Sequence, residues 1–178
     1  MRRLERVRVL RWTSPSPEAT HEAARRLAAG LEVAGLVIGL IGPLGAGKTV
    51  FVKGLAQGLG LDPARVASPS FVIASEYATP SGLRLAHVDC LRVESQDELE
   101  LAGFLDLLVP GVVLAVEWSD RFPRALPEDR LELHFARELG PGAATRRELN
   151  AVAFGPVSRA ALARWRDAPA RETSTVRD

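Results

Sequence analysis

A three-layer α/β fold around a mixed central sheet is predicted from three features of the residue order. Two apolar runs, LVIGLI (36–41) and VVLAVEW (112–118), have the composition of strands covered on both faces. Strand-like segments alternate with segments of helical character over most of the chain. Two further pairs of short strand-like segments, each pair split by turn residues, read as added β-hairpins.

Taken in order, VRVLRW (7–12) alternates and is rich in β-branched residues, so it opens the chain as a short strand. Ser16 as N-cap with Pro17 in the first helical position starts a helix that runs to about Gly30. After LVIGLI comes GPLGAGKT (42–49), and then a helix of about ten residues from Lys48 to Gly58 or Gly60. SFVIASEYAT (70–79), the turn PSG and LRLAHVDC (83–90) form the first hairpin. Ser95-Gln-Asp-Glu98 is a capping box that opens a helix through DELELAGFLDLL (97–108), which Pro110-Gly111 ends. RLELHFARE (130–138) and RRELNAVAF (146–154) flank a Gly-Pro-Gly turn as the second hairpin, and SRAALARWRD (158–167) closes as a helix. No repeat or linker divides the chain. The expectation is one domain over 1–168 and a disordered tail rich in Ser, Thr and Arg over 169–178.

Composition narrows the classes of function. With 178 residues there is enough chain to bury a real core, and 47% hydrophobic with 25% charged residues is ordinary for a globular protein. A formal charge of +1 with interspersed signs argues against a nucleic-acid clamp, DNA included, built from this chain alone. MRRLERVR is basic, but no apolar stretch follows it as a signal peptide would require. No run is long enough for a membrane span, and the single cysteine, Cys90, has no intrachain disulfide partner. A cytoplasmic protein is the expectation.

GPLGAGKT carries the chemistry. It matches the phosphate-binding loop pattern at every fixed position, and it stands between a strand and a helix, the context that pattern needs. Glycine lets the backbone of Gly42, Pro43, Leu44, Gly45, Ala46 and Gly47 wrap closely, so that N–H groups point at phosphate oxygens. The helix end adds positive potential. Lys48, one of only two lysines, can reach the β- and γ-phosphates, and the Thr49 hydroxyl can ligate Mg²⁺. Two carboxylates end apolar strands, Asp89 in LRLAHVD and Glu117 in VVLAVE, and either suits the second metal ligand. The chain lacks the Asn-Lys-x-Asp stretch that guanine-specific loops usually bring, so ATP is favoured. The fold is then a P-loop NTPase fold with added β-hairpins.

The chain also resembles a known family. GPLGAGKT, SPSF (68–71) with SEY (75–77), HVDCLR (87–92), DELEL (97–101) and VEW (116–118) follow the order and spacing of TsaE over roughly residues 13–155. That resemblance implies a small ATPase of bacterial tRNA threonylcarbamoyladenosine biosynthesis. It would act with TsaB and TsaD partners and reach tRNA only through that complex. It implies that Thr49 and Glu117 hold Mg²⁺, that Lys48 contacts the phosphates, and that Asp89 lies near the metal or the attacking water. Ser68-Pro69-Ser70-Phe71 would be a loop sensing the γ-phosphate, Trp118 would lie near the nucleotide or a partner, and Arg147 would lie near the nucleotide. Two positions depart from the pattern: Ser70 stands where the family usually has Thr, and Leu91 where it usually has Tyr.

Some readings stay open at this level. His87 suits a buried core as well as a site, Trp118 suits packing as well as recognition, and Cys90 suits a small apolar position. No obvious arginine finger is fixed opposite the loop and a partner would complete the site, so slow hydrolysis by the isolated chain is the expectation. A small-molecule kinase with RFPRALPEDR (121–130) as its lid, and a binding module gated by ATP occupancy, are the alternatives.

Overall fold

A computed structural model describes residues 8–31, 34–67, 73–137 and 146–167. Seven strands form one sheet in the order β1-β7-β6-β2-β5-β4-β3: β1 Arg8–Ser14, β2 Leu36–Ile41, β3 Ala74–Ala78, β4 Arg84–Asp89, β5 Val112–Glu117, β6 Leu131–Arg137 and β7 Arg147–Ala153. The central pairs β6/β2, β2/β5 and β5/β4 are parallel, while β1/β7, β7/β6 and β4/β3 are antiparallel. The mixed sheet and both hairpins are as the sequence predicts. The tip of the second hairpin is not among the described residues, and neither are 70–72 of the first hairpin nor the tail from 169.

Helices α1 (Pro17–Ala29), α2 (Lys48–Gly58) and α4 (Pro156–Asp167) cover one face of the sheet. Leu27, Phe51, Leu55 and Trp165 pack there on Ile38, Leu40, Leu131 and Leu133. The edges of Trp12, Phe51, Phe135 and Trp165 meet in T-shaped contacts with centroids 4.8–6.0 Å apart. The other face is covered only over β2, β5 and β4, where Leu99, Phe104 and Leu107 pack on Ala86, Val88, Leu114 and Val116. Strand β5 is therefore buried at every residue, whereas β6 alternates. Among the described residues no helix is long and apolar enough to cross a membrane.

The helix expected over 97–108 is corrected. It is a short α3 (Gln96–Leu101), then Gly103 at φ 86°, then a 3₁₀ turn over Phe104–Leu107. A left-handed glycine stops an α-helix, and the break lets Leu99, Phe104 and Leu107 all face the sheet. The capping signal itself holds: Ser95 Oγ accepts from the Glu98 amide at 3.1 Å, and Glu98 Oε2 accepts from the Glu94 amide at 2.8 Å.

Candidate functional site

Strand β2 ends at Ile41, and the chain turns through Gly42, Gly45 and Gly47 at φ 150°, 70° and 103° before α2 begins. Those angles suit glycine alone. Space also requires it: a Cβ on Gly42 would stand 2.5 Å from the Phe135 carbonyl oxygen. Gly47 is the N-cap of α2 and offers no side-chain cap, so the first amides of the helix open toward the loop.

Lys48 is only 4% exposed. Its Nζ donates to the carbonyls of Gly42 at 2.6 Å and Pro43 at 3.0 Å and lies 3.8 Å above the ring of Trp118. Burial pushes the ammonium pKa down from its usual value, while the carboxylates of Glu117, Asp89 and Asp120 oppose that shift. Trp118 holds its place through a left-handed backbone at φ 58°, the sole non-glycine positive φ among the described residues.

Thr49 and Glu117 meet at the same end of the sheet. The threonine hydroxyl donates to Glu117 Oε1 at 2.8 Å, joining α2 to the end of β5. His87 Nε2 lies 2.9 Å from that same oxygen, and both His87 and Glu117 are buried. With the proton on Nε2 the imidazole donates to the carboxylate and Nδ1 keeps only a lone pair. Nδ1 has no hydrogen-bond partner in its buried position. Asp89 stands directly opposite Glu117 in the parallel β4/β5 pair, and its Oδ1 accepts from the Leu91 amide at 2.9 Å. Leu91, where the resemblance leads one to expect Tyr, is 37% exposed.

The structure thus brings Lys48, Thr49, Glu117, Asp89 and Trp118 around the loop. Arg147 also arrives there, with Nη2 3.3 Å from the Gly45 carbonyl oxygen. Ser70 and the rest of SPSF lie outside the described residues. Two residues that sequence reasoning left out of the site belong to it. His87 supports Glu117, and the alternation of His87 and Asp89 on one strand face was the available signal. Arg137, at the end of β6, donates through Nη2 to the Leu44 carbonyl. Two arginines thus stand on the loop, each bonded to one of its carbonyls. The arginines at both ends of RFPRALPEDR are tied down: Arg121 donates to the Val93 carbonyl at 2.9 Å, and Arg130 is bonded to Glu132 at 2.8 Å.

The family model described as "Threonylcarbamoyl adenosine biosynthesis protein TsaE" matches residues 14–147. The chain belongs to the TsaE family. It is 39% identical over 131 residues to a Bacillus subtilis protein named "tRNA threonylcarbamoyladenosine biosynthesis protein TsaE", covering 74% of this chain and 80% of that one. A Streptomyces coelicolor TsaE of the same name is 40% identical over 136 residues, 75% of this chain and 90% of its own. The crystal structure of Bacillus subtilis YdiB superposes with a TM-score of 0.68 at 31% identity, over 91% of this chain and 97% of the other. The matched span carries every TsaE-family motif residue discussed above, from the glycine loop to Arg147.

Proposed function

We propose that this TsaE-family chain is an ATPase that binds ATP with Mg²⁺. In this reading it acts with TsaB and TsaD partners in forming N6-threonylcarbamoyladenosine in tRNA beside the anticodon. The observation that carries the reading is the meeting of Thr49 Oγ1 with Glu117 Oε1 at 2.8 Å, at the mouth of a loop in which Gly42 and Gly45 leave no room for a Cβ. Those donors fit the groups in question. A glycine loop at positive φ that leads into an uncapped helix N-terminus suits a polyphosphate held by backbone amides, and a hydroxyl beside a carboxylate suits a hard cation that prefers oxygen.

Each residue then has a task. Lys48 is aimed along the loop and would exchange its two carbonyl partners for phosphate oxygens, which as anions bind an ammonium more strongly. Thr49 and Glu117 would hold Mg²⁺, which when bound neutralises charge on the β- and γ-phosphates. His87 and the Thr49 hydroxyl both bond Oε1 of Glu117, so the carboxylate is fixed in rotation. Asp89, on the strand beside Glu117, would lie near the metal or orient the attacking water. Trp118 walls off the lysine from solvent.

The experiment is phosphate release by the full chain, alone and with a TsaB–TsaD pair. Slow release that rises with the pair, and falls on Glu117→Gln, supports the proposal. Fast release indifferent to the pair would contradict the partnership. Normal tRNA modification by Glu117→Gln would instead favour gating by ATP occupancy. Transfer to an added alcohol rather than to water would favour a kinase.

A further inference from the structure

Arg137 ends β6 and faces Arg147 directly across the antiparallel β6/β7 pair. Like charges in that position oppose strand pairing, yet here both side chains turn toward the glycine loop, one to the Leu44 carbonyl and one to the Gly45 carbonyl. Register explains the reach. In the parallel β2/β6 pair Ile41 lies beside His134, and both chains continue past that pair at the same end of the sheet, where Arg137 meets Leu44. The approach is close, for a Cβ on Gly45 would stand 2.5 Å from Arg137 Nη2.

A trans peptide carries its C=O and N–H on opposite sides. A cation that holds the Leu44 carbonyl on the outer side of the loop therefore turns the Gly45 N–H to the inner side. The next amide needs no such help, because the Ala46 N–H is bonded to the Pro43 carbonyl at 3.1 Å. Gly45, at φ 70° and without a Cβ, does little to fix that peptide plane by itself.

We infer that Arg137 is a positioning residue for polyphosphate: by gripping the Leu44 carbonyl it aims the Gly45 amide into the cradle. This rests on the nucleotide-binding reading of the loop given above. The role is carried through the peptide plane and needs no contact between Arg137 and the reacting phosphate.

Calorimetric titration of the full chain with MgADP, paired with thermal melting of the nucleotide-free protein, tests the inference. Arg137→Ala weakens MgADP binding about fivefold to tenfold, the weight of one ordinary hydrogen bond, that of the Gly45 amide. Arg137→Lys keeps a cationic donor at similar reach and recovers most of the loss. The nucleotide-free melting midpoint stays at the wild-type value, because the contact is exposed and outside the core. Three results overturn the inference: Arg137→Ala binding within twofold of wild type, Arg137→Lys binding as weakly as Arg137→Ala, or a nucleotide-free midpoint that falls in step with affinity. Wild-type protein that binds no MgADP would overturn the loop reading and this inference together. Normal wild-type binding beside an indifferent Arg137→Ala overturns the inference alone.

Discussion

On its inner side the glycine loop meets Lys48, Glu117 and His87, which are 4%, 3% and 0% exposed. On its outer side it meets Arg137, which is exposed, and Arg147, which is half-buried. The inner groups are held by strand and helix packing, and their contacts lie where water screens little. The outer groups are held by hydrogen bonds to two carbonyls in a solvated setting, where salt and side-chain entropy erode them. In the proposed reading this contrast gives two kinds of control: the inner side would perform the chemistry, and the outer side would adjust the shape of the loop.

The largest effect expected from the inner side is on turnover. Glu117→Gln should lower phosphate release on the order of 10²-fold, because it removes the charge of the proposed metal ligand, while nucleotide affinity changes far less. Parallel steady-state assays and calorimetry would separate the two effects. Equal losses in both would blur the contrast between the two sides.

Lys48→Ala should weaken MgATP binding by roughly 10-fold to 10²-fold through loss of a charged donor. Burial holds the ammonium pKa below its usual value, so the folded chain holds that proton less tightly than the unfolded chain. Nucleotide-free stability should therefore gain a contribution from Lys48 as pH rises toward its usual value of 10.5, and Lys48→Ala should remove that pH-dependent part. Melting curves over that pH range with the same slope in both proteins would contradict this.

His87→Leu should destabilise the fold by about 1–3 kcal/mol, since Glu117 keeps a buried carboxylate short of one donor. His87→Gln, with an N–H at similar reach, should return most of that in urea unfolding. Arg147→Ala should cost roughly threefold in MgADP affinity, and the deficit should shrink as salt rises from about 0.05 M to about 0.5 M. The Lys48→Ala deficit should persist over the same range. A deficit at Lys48 as sensitive to salt as that at Arg147 would break the comparison.

The smallest effect concerns Cys90, under the inner side. Burial, with Asp89 and Asp120 nearby, pushes its thiol pKa up to about 12 from a usual 9.0, against the pull of Arg121. A raised folded value means that the folded chain keeps the proton which the unfolded chain loses. Cys90 therefore costs stability as pH climbs from about 9 toward 12, and Cys90→Ala should flatten that decline. Alkylation at pH 8 should be slow until the protein is unfolded.

Much of this was legible because it is local. LVIGLI followed by GPLGAGKT dictated strand, loop and helix, and the apolar runs ending at Asp89 and Glu117 placed two carboxylates at strand ends. The split of the 97–108 helix was missed although Gly103 stood in its middle, because the apolar spacing continued past it. Arg137 was missed for a different reason. Its partner Leu44 lies 93 residues away, and the contact depends on the β2/β6 register, which no local pattern encodes. The bond between His87 and Glu117 likewise needs β4 and β5 to be neighbours, and only the assembled sheet supplies that.

The central claim is that residues 42–49 cradle a polyphosphate. Calorimetric titration of the folded chain with MgATP tests it most directly, using Lys48→Ala as the comparison. Saturable one-to-one binding by the wild-type chain, weakened at least tenfold by Lys48→Ala, is the predicted result. No detectable association by well-folded wild-type protein, or equal binding by both, would contradict it.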